Sequence, residues 1–521
     1  MKGMKPIMSN MRVEKRTNVR NSIMRLFVVI VAVSFQIFWL LNLFGQLRFI
    51  SPKIGQAINN LAILVALWIY GRDKNISINV PWMALILAFP MFGMGLYFLI
   101  GRTSLFNHVK EVYAHIDLFL YRYFHQDWSI LEEMASVDID SAKDAHLIWN
   151  CGHFPVYKDT AVTYYPEALE GFNAQIEDMK KAQHFIFIEY HAIEDGYSFG
   201  QMKEVLIERA AAGVEVRIFY DDMGSIGFLN KSFIKEMESY GIQCRVFNPI
   251  RPWILVFMNN RDHRKITVID GQIGYTGGYN LAEEYFNRTH PYGYWKDTGI
   301  RLEGSAVRSM TLTFLEMWNA TNPTHQAMAN YLTAKPVPSK GFVQPYADSP
   351  LDDEYLGEDV YMSIVNHAKK YVYFVTPYLI ITEEMTRVLT LAAKRGVDVR
   401  IITPGTPDKQ LTYMFTQSFY RDLVRGGVRI FEYIPGFPHA KMCISDDTVA
   451  TCGTINLDYR SLYLHFENGV YLSHVDCIAK MKKDFDHMFD LSKDVSEDYK
   501  GDINMIVRTW RAIVRLIAPL F

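Results

Sequence analysis

One arrangement of residues occurs twice in this chain and constrains its fold more than any other feature. The stretch 262–280, DHRKITVIDGQIGYTGGYN, contains in order His263, Lys265, Asp270, Gly277 and Asn280. The stretch 438–456, PHAKMCISDDTVATCGTIN, contains the same residue types at the same spacings, namely His439, Lys441, Asp446, Gly453 and Asn456. Even the His-Lys-Asp part should arise by chance only on the order of 0.04 times in such a chain. The two copies therefore indicate a duplication.

The sequence around the two stretches repeats as well. HFIFIEYHAI at 184–193 is typical of a buried strand, and a helical segment, a glycine and a second strand follow it. YVYFVTPYLI at 371–380 begins the same order again, and AKRGVDVRII there matches AAGVEVRIF of the first half. His263 and His439 lie 176 residues apart, which is too long for a solenoid repeat. These patterns predict two tandem α/β domains related by pseudo-twofold symmetry.

Composition changes along the chain give the domain boundaries. Residues 321–350 are rich in proline and small polar residues and are predicted to be a linker between domains at 111–320 and 351–498. Residues 499–521 contain INMIVRTWRAIVRLIAPLF, which is typical of an amphipathic helix at a membrane surface because its arginines share one face. Packing of this helix against the second domain is the alternative.

Residues 1–110 are predicted to be a membrane anchor. The apolar runs 26–44 and 80–100 have 19 and 21 residues, and each is long enough to cross ~30 Å of hydrocarbon as a helix. The run 54–70 has 17 residues and three polar amides, so it is either a further span or a segment buried against the others. Two or three transmembrane helices are therefore expected, with a cleaved signal peptide as the alternative for the first run.

Charges near the first run predict the orientation of the anchor. One acidic residue, Glu14, accompanies seven basic residues that precede the run: Lys2, Lys5, Arg12, Lys15, Arg16, Arg20 and Arg25. The positive-inside rule then places the N-terminus in the cytoplasm. Two spans would return the rest of the chain to the cytoplasmic face, which is the placement predicted, whereas three spans would place it outside.

Charge and cysteine content argue against other classes of protein. A net charge of −2 and a pI near 6.7 give no support to a nucleic-acid partner. The five cysteines are scattered and lack C-x-x-C spacing, which argues against a disulfide framework and against a zinc site. We expect no metal and no cofactor.

Strand periodicity explains why the histidine and the lysine are two residues apart. In HRKITVID the side chains of His263 and Lys265 share one face of a predicted strand, whereas Asp270 has the opposite parity and lies beside the predicted turn IDGQ. For Asp270 and Asp446 a role in the hairpin is therefore at least as well supported as contact with a substrate.

The segment after each aspartate predicts a phosphate site. Asn280, with Glu283 three residues later, could cap a helix whose free N–H groups attract phosphate oxygens. A cap without phosphate contact is the alternative for this asparagine and for its equivalent in the second copy. The residues expected to bind phosphate are Gly278, Asn280, Thr454 and Asn456.

A pairing of both copies around one phosphate gives a reason for the duplication. One imidazole would attack phosphorus, and the other would protonate the departing alkoxide and then deprotonate the incoming hydroxyl. The lysines and asparagine amides would stabilise the non-bridging oxygens, a task that many phosphoryl-transfer enzymes give to Mg²⁺. A solvated strand face is the alternative. The candidate catalytic residues are His263, Lys265, Asp270, His439, Lys441 and Asp446.

A histidine that changes its role during a reaction needs an orienting carboxylate. Asp297 in YWKDTGIRLEG and Glu467 in LHFENGVYL lie on the predicted strand that follows each motif. We expect these two carboxylates to orient the histidines, with ordinary surface charge as the alternative.

Both copies fit the pattern HxKx₄Dx₆Gx₂N, and in this the chain resembles the phospholipase D superfamily. Segments such as FIEYHAI, TGGYNLAEEY and NLDYRSLYLHFE are similar to those of bacterial cardiolipin synthases. The resemblance implies two phospholipase D-like α/β domains with mixed sheets flanked by helices, in a multi-pass enzyme of the cell membrane. It also implies transfer of a phosphatidyl group from one phosphatidylglycerol to another with release of glycerol, His263 as nucleophile and His439 as general acid and base.

Other functions fit the same motifs. Water could release the phosphohistidine, which would make the protein a phospholipase D or a nuclease. A non-catalytic membrane scaffold would keep the fold but lose a motif, and both motifs are intact. The apolar segment RPWILVFM at 251–258 could form a lipid-contacting lip beside the site, with a buried helix or strand as the alternative.

Overall fold

The computed structural model describes residue 34 and residues 52–71, 76–101, 107–229, 231–249, 260–324, 327–352, 354–502 and 504–520. The span predicted at 26–44, apart from residue 34, and the basic segment before it lie outside the described residues. The apolar segment 251–258 lies outside them as well.

Three helices form the described part of the predicted anchor: α1 (Pro52–Tyr70), α2 (Ile76–Ala88) and α3 (Pro90–Leu96), the last continuing as a π-helical turn, Tyr97–Gly101. Within the described residues only Lys53–Tyr70 is long and apolar enough to cross a membrane. The prediction of one span over 80–100 is wrong. Pro90 begins a new helix because proline lacks the N–H that would continue α2, and α2 alone reaches only about 20 Å.

The next helices in the chain are α4 (Asn107–Tyr121), α5 (Trp128–Val137), α6 (Ile139–Gly152), α7 (Ala168–Met179), α8 (Tyr197–Ala211), α9 (Lys231–Ser239) and α10 (Val307–Thr321). Of these, α6 packs against the second half, where Gln344 donates to the carbonyl of Ala145 at 3.0 Å. The helices that follow are α11 (Leu356–His367), α12 (Glu383–Lys394), α13 (Gln410–Arg425), α14 (Tyr459–Tyr463), α15 (Ile478–Asp490), α16 (Ser496–Lys500) and α17 (Met505–Ile517). Short 3₁₀ helices cover Glu283–Phe286, Met328–Tyr331 and Ala518–Leu520.

The first half of the chain forms a seven-stranded mixed sheet in the spatial order β1-β9-β7-β6-β2-β3-β4. The strands of this half are β1 (Thr160–Tyr165), β2 (Phe185–Tyr190), β3 (Glu215–Asp221), β4 (Gln243–Phe247), β5 (Arg261–Asp262), β6 (Lys265–Ile269), β7 (Ile273–Gly277), β8 (Tyr294–Lys296) and β9 (Gly299–Gly304). The strands β2, β3 and β4 are parallel, and β6, β7, β9 and β1 continue the sheet antiparallel.

The second half repeats this sheet in the order β10-β19-β17-β16-β11-β13-β14, with β20 added at the edge. Its strands are β10 (Phe342–Asp348), β11 (Tyr371–Val375), β12 (Leu379–Ile380), β13 (Asp398–Pro404), β14 (Arg429–Tyr433), β15 (Gly436–Pro438), β16 (Met442–Ser445), β17 (Val449–Gly453), β18 (Leu457–Asp458), β19 (His465–Ser473) and β20 (Ser492–Asp494). The predicted α/β class with mixed sheets is thus observed, and seven strands match in order.

The linker predicted at 321–350 is shorter than expected, because β10 lies inside it. This strand pairs with β19 along Phe342–Asp348 and forms one edge of the second sheet. Pro345 concealed the strand in the sequence, yet proline is tolerated at a sheet edge, where one side of the strand needs no partner. The second α/β unit therefore begins before residue 351.

The two halves share one hydrophobic core. Helix α10 is buried along almost its whole length and contacts β6 of the first sheet and β10 of the second. Within this core Phe314 of α10 stacks on Phe187 of β2, with ring centroids 4.7 Å apart. The relative position of the two sheets is therefore fixed by buried packing.

Two short parallel strand pairs join the halves beside the motif histidines. β5 pairs with the start of β19, and β8 pairs with β15. The backbone N–H of His263 then donates to the carbonyl of Phe466 at 2.9 Å, and that of His439 donates to the carbonyl of Lys296 at 2.7 Å. Each histidine is thus held by the backbone of the opposite half.

Candidate active site

A cavity of about 450 Å³ opens where the two halves meet. His263 and His439 both line it, together with Asn280 and Asn456. The structure therefore brings equivalent residues of the two motifs to a single site.

Two carboxylates orient the histidines, and each comes from the opposite half. Nδ1 of His263 lies 2.8 and 2.9 Å from the two oxygens of Glu467, and Nδ1 of His439 lies 2.7 Å from Asp297. An ionised carboxylate only accepts hydrogen bonds, so Nδ1 carries the proton and Nε2 is left for chemistry. Burial raises the pKa of Asp297 to about 6, an effect that the Lys441 ammonium opposes.

The two motif lysines lie buried beside the histidines. Nζ of Lys265 donates to the carbonyl of His263 at 2.7 Å. Nζ of Lys441 donates to the carbonyl of His439 and lies 3.0 Å from Nε2 of the same residue. Burial lowers the pKa of Lys265 to about 8 and that of Lys441 to about 7, although nearby carboxylates oppose the shift.

The histidines are neutral in the free site near pH 7. Burial, and after it the charges of Lys265 and Lys441, lower the pKa of His263 and of His439 well below the usual range. A neutral imidazole is a nucleophile and a base. A phosphate anion bound between the rings would offset the lysine charges and raise the histidine pKa values again.

The structure does not bring Asp270 and Asp446 to the cavity. Each follows a strand that leads away from its histidine, and seven residues of extended chain span roughly 20 Å. Asp270 accepts hydrogen bonds from the backbone N–H groups of 183, 184 and 185, at 2.7 to 2.9 Å. Asp446 does the same for 369, 370 and 371. Both side chains thus join a hairpin to a neighbouring strand, which replaces the expectation of substrate contact.

Gly278 and Thr454 support the carboxylates instead of lining the cavity. The hydroxyl of Thr454 donates to Glu467. A Cβ at the equivalent Gly278 would lie 2.1 Å from an oxygen of Asp297, so only glycine leaves room for that carboxylate. The expectation that these two residues bind phosphate is therefore corrected by their contacts.

Asn280 and Asn456 lie in the cavity wall, but neither caps the predicted helix. Asn280 accepts from the N–H of Ala192 at 3.2 Å and donates to the hydroxyl of Tyr285 at 2.9 Å. The helix there is a 3₁₀ turn preceded by Ala282, and Glu283 instead accepts from the backbone N–H of Ser198. In the part of the chain that the structure describes, Oδ1 of Asn456 has no hydrogen-bond partner.

Sequence reasoning missed several residues of the cavity wall: His191, Arg261, Trp295, Lys409, Arg460 and His465. Their side chains come from strand ends and loops that meet only in the folded protein. His191 had a usable signal, since it follows β2 at its carboxyl end, where parallel sheets place their ligands.

One set of side chains in the cavity could chelate a divalent cation. Within the described residues, ligand atoms of His263, His465 and Glu467 lie within 4.8 Å of one another. The oxygens of Glu467 already accept the Nδ1 proton of His263. That carboxylate is therefore already engaged by the hydrogen bond to His263.

Comparison with known proteins agrees with this architecture. The profile of the family described as "cardiolipin synthase, PLD-like domain" matches residues 175–299 and 361–489. An uncharacterized protein of Streptococcus mutans serotype c is 40% identical over 85% of this chain and 96% of its own. A cardiolipin synthase of Geobacillus sp. (strain WCH70) is 30% identical over 96% of this chain and 100% of its own.

A solved structure shares the fold. The phosphatidylserine synthase of Haemophilus influenzae Rd KW20 superposes with a TM-score of 0.56 at 14% identity, and covers 73% of this chain and 100% of its own. The match spans both halves, and the family profile matches each half once. The chain belongs to the family of cardiolipin synthases with phospholipase D-like domains.

Proposed function

We propose that this protein is a cardiolipin synthase that transfers a phosphatidyl group from one phosphatidylglycerol to another through a phosphohistidine. The observation that carries the proposal is the pair of imidazoles that face one cavity, each oriented by a carboxylate of the opposite half. This arrangement supplies a nucleophile and a separate acid and base to one phosphorus atom.

The first step forms the covalent intermediate. Nε2 of His263 attacks phosphorus of the donor lipid, and the P–O bond to the glycerol headgroup breaks. His439, protonated in the complex, gives its Nε2 proton to the departing oxygen, so glycerol leaves as a neutral alcohol. The charge of Glu467 stabilises the attacking ring, and the ammonium groups of Lys265 and Lys441 stabilise the non-bridging oxygens.

The second step reverses the roles. Neutral His439 removes the proton from the terminal hydroxyl of a second phosphatidylglycerol, and the resulting oxygen attacks phosphorus. The P–N bond breaks, His263 is regenerated and cardiolipin forms, and the proton of the acceptor hydroxyl is on His439 in the product complex. His439 gives up one proton in the first step and takes up one in the second. The full cycle therefore consumes neither a proton nor a cofactor.

We further propose that two helices contact the bilayer. Most of the surface of α1 is exposed and apolar. In α17, Ile506, Trp510, Ile513 and Ile517 form an exposed apolar stripe on one face. The two apolar runs at 26–44 and 54–70 would return residues 111–520 to the cytoplasmic face, with the N-terminus on the same side.

The position of α17 supports delivery of lipid to the site. Arg515 holds the helix against the second half through ion pairs with Glu383, at 2.9 Å, and with Asp422. Ala518, immediately after the helix, lines the cavity. An acyl chain beside the apolar stripe is therefore close to the entrance of the active site.

Product analysis tests the proposed function. The full chain, purified in detergent, should convert phosphatidylglycerol in mixed micelles to cardiolipin and glycerol, and the double variant His263→Ala/His439→Ala should form neither. Phosphatidic acid without cardiolipin would assign the protein as a phospholipase D, and cleavage of DNA in place of lipid would assign it as a nuclease.

Vesicle binding tests the role of α17. Trp510→Glu/Ile513→Glu should weaken cosedimentation with phosphatidylglycerol vesicles, because two charges would enter the apolar stripe. Ala512→Glu, on the opposite face of the same helix, is the matched control. Equal binding by all three proteins would exclude the helix from the membrane contact.

A further inference from the structure

We propose that Lys409 and Arg460 form a second anion-binding subsite of the cavity, which takes the phosphodiester of the acceptor phospholipid. The proposal rests on the proposed function and deepens it. It identifies how the enzyme distinguishes a lipid acceptor from water or from a free alcohol.

Transfer between two phospholipids requires two phosphates in the cavity at once. When the acceptor hydroxyl attacks, the donor phosphorus is bound to a histidine, and the acceptor's own phosphodiester lies a three-carbon bridge away. Lys265 and Lys441 are held against the carbonyls of His263 and His439, which leaves them to the donor phosphate. Further cations must therefore neutralise the acceptor.

Lys409 has the position and freedom for this task. It lines the cavity, its side chain is 67% exposed, and its charge lowers the pKa of both histidines. Its nearest carboxylate is that of Asp408, 3.8 Å away, and this group already accepts from the hydroxyl of Tyr378 at 2.6 Å. The ammonium is therefore only weakly neutralised by the protein.

Arg460 lines the same cavity as Lys409, and its charge acts on His465. That charge contributes to the lowered pKa of His465, which is 5.6 Å from His263 between ring centroids. The neighbouring Asp458 caps α14 by accepting from the N–H of Ser461, and burial raises the pKa of Asp458. Asp458 also lines the cavity, and its carboxylate raises the pKa of Arg460 against the lowering by burial, so Arg460 is held charged beside the site.

The duplication provides an internal comparison for Arg460. Asn280 and Asn456 are equivalent, so the position equivalent to Arg460, four residues after Asn456, is Glu284 in the first half. A carboxylate there repels an anion. Glu284 does not line the cavity, and the first half contributes Arg261 to the lining from a different position. The cation at the Arg460 position is therefore present in the second half only.

Two reactions of the same enzyme separate the subsite from the donor site. Cardiolipin synthesis uses an acceptor with a phosphate, whereas exchange of labelled glycerol into phosphatidylglycerol uses an acceptor without one. In Lys409→Met/Arg460→Met, the ratio of synthesis to exchange should fall about 10- to 100-fold, as loss of charge-assisted hydrogen bonds predicts. Replacing Lys409→Met by Lys409→Arg in the double variant should restore part of the ratio of synthesis to exchange. Lys394→Met, at the exposed end of α12, is the control and should leave the ratio as it is.

The outcomes distinguish this proposal from the proposed function. If both reactions lost activity equally, or neither lost any, the ratio would not change and the proposed acceptor subsite would be refuted. Inorganic phosphate could also inhibit synthesis by the native enzyme but not by the double variant. If excess phosphatidylglycerol did not relieve that inhibition, the site would be assigned to free phosphate and the proposal would be overturned. A native enzyme that exchanges glycerol but forms no cardiolipin would instead refute the synthase.

Discussion

The walls around His263 and His439 share one framework but differ in composition. The ring of His263 lies 5.0 Å from that of His191 and 5.6 Å from that of His465. The ring of His439 lies 5.2 Å from Tyr285 and 5.3 Å from Trp295, with no histidine among its ring contacts in the described chain.

Equivalent positions make this difference informative. In one of the two strand pairs that join the halves, Trp295 pairs with Phe437. At the equivalent positions of the other strand pair, His465 pairs with Arg261. The motif, the crossed carboxylates and the hairpin aspartates are alike in the two halves, while residues that line the cavity differ. The proposed chemistry requires two imidazoles, and the difference teaches that each of them has its own surroundings, which would suit them to separate tasks.

The largest expected effect comes from removing either imidazole. His263→Ala and His439→Ala should each lower the rate of cardiolipin synthesis by on the order of 10³-fold or more, since each abolishes one chemical role. A phosphatidyl donor with a nitrophenol leaving group needs no general acid. With this donor, His439→Ala should still release nitrophenol in a burst and retain labelled phosphate on the protein, whereas His263→Ala should do neither.

His146→Ala, at an exposed histidine of α6, is the control for this pair and should behave as the native enzyme. Label retained by His263→Ala and lost from His439→Ala would reverse the assignment of the two histidines.

The crossed carboxylates should give the next largest effect. Glu467→Gln and Asp297→Asn keep the shape of the site but no longer fix the Nδ1–H tautomer, so kcat should fall roughly 10- to 10⁴-fold in both. Steady-state kinetics at saturating lipid would measure the fall in kcat. Glu467→Asp should recover part of the activity that Glu467→Gln loses. A loss confined to one variant would show that one histidine needs no orienting partner.

The pH dependence should separate the two lysines. An ammonium acts as a cation below its pKa and is lost as pH rises, so kcat/KM should fall as pH rises through about 7, the value for Lys441, and again through about 8 for Lys265. Lys441→Arg keeps its charge at these pH values and should shift the alkaline fall towards about 8. An unchanged profile in that variant would mean that Lys441 does not set the limit.

The smallest kinetic effect is expected for the hairpin aspartates. Asp270→Asn and Asp446→Asn should each destabilise the protein by about 2 kcal/mol, because three backbone hydrogen bonds lose a charged acceptor, while KM stays near the native value. Thermal unfolding in detergent would measure the loss, with Asp486→Asn as an exposed control. A loss of kcat by about 100-fold at native stability would return these residues to the catalytic set.

Much of the site follows from the sequence, because spacing and repetition report chemistry that is local in the chain. Alternation placed His263 and Lys265 together and set Asp270 apart from them, as the structure has it. The repeat predicted that two distant histidines share a cavity. The expectation for Asp297 and Glu467 agrees with their hydrogen bonds, although spacing alone could not assign each to the histidine of the other half.

The rest depended on tertiary contacts that no local pattern records. Lys409 and Arg460 reach the cavity from a loop and from a five-residue helix, and neither has a spacing that marks it. The single span expected at 80–100 failed because a hydropathy run does not reveal where Pro90 divides it. The strand β10 was hidden for a similar reason, since its proline resembles a linker residue.

The exchange of carboxylates between the halves has an evolutionary consequence. A single-copy ancestor with the same geometry would have been active only as a homodimer, since a molecular twofold axis supplies each histidine with the carboxylate of the other subunit. Gene fusion would have converted that subunit contact into an intramolecular one. After such a fusion, a substitution in one half would no longer be repeated in the other half. The two walls of the cavity could then diverge.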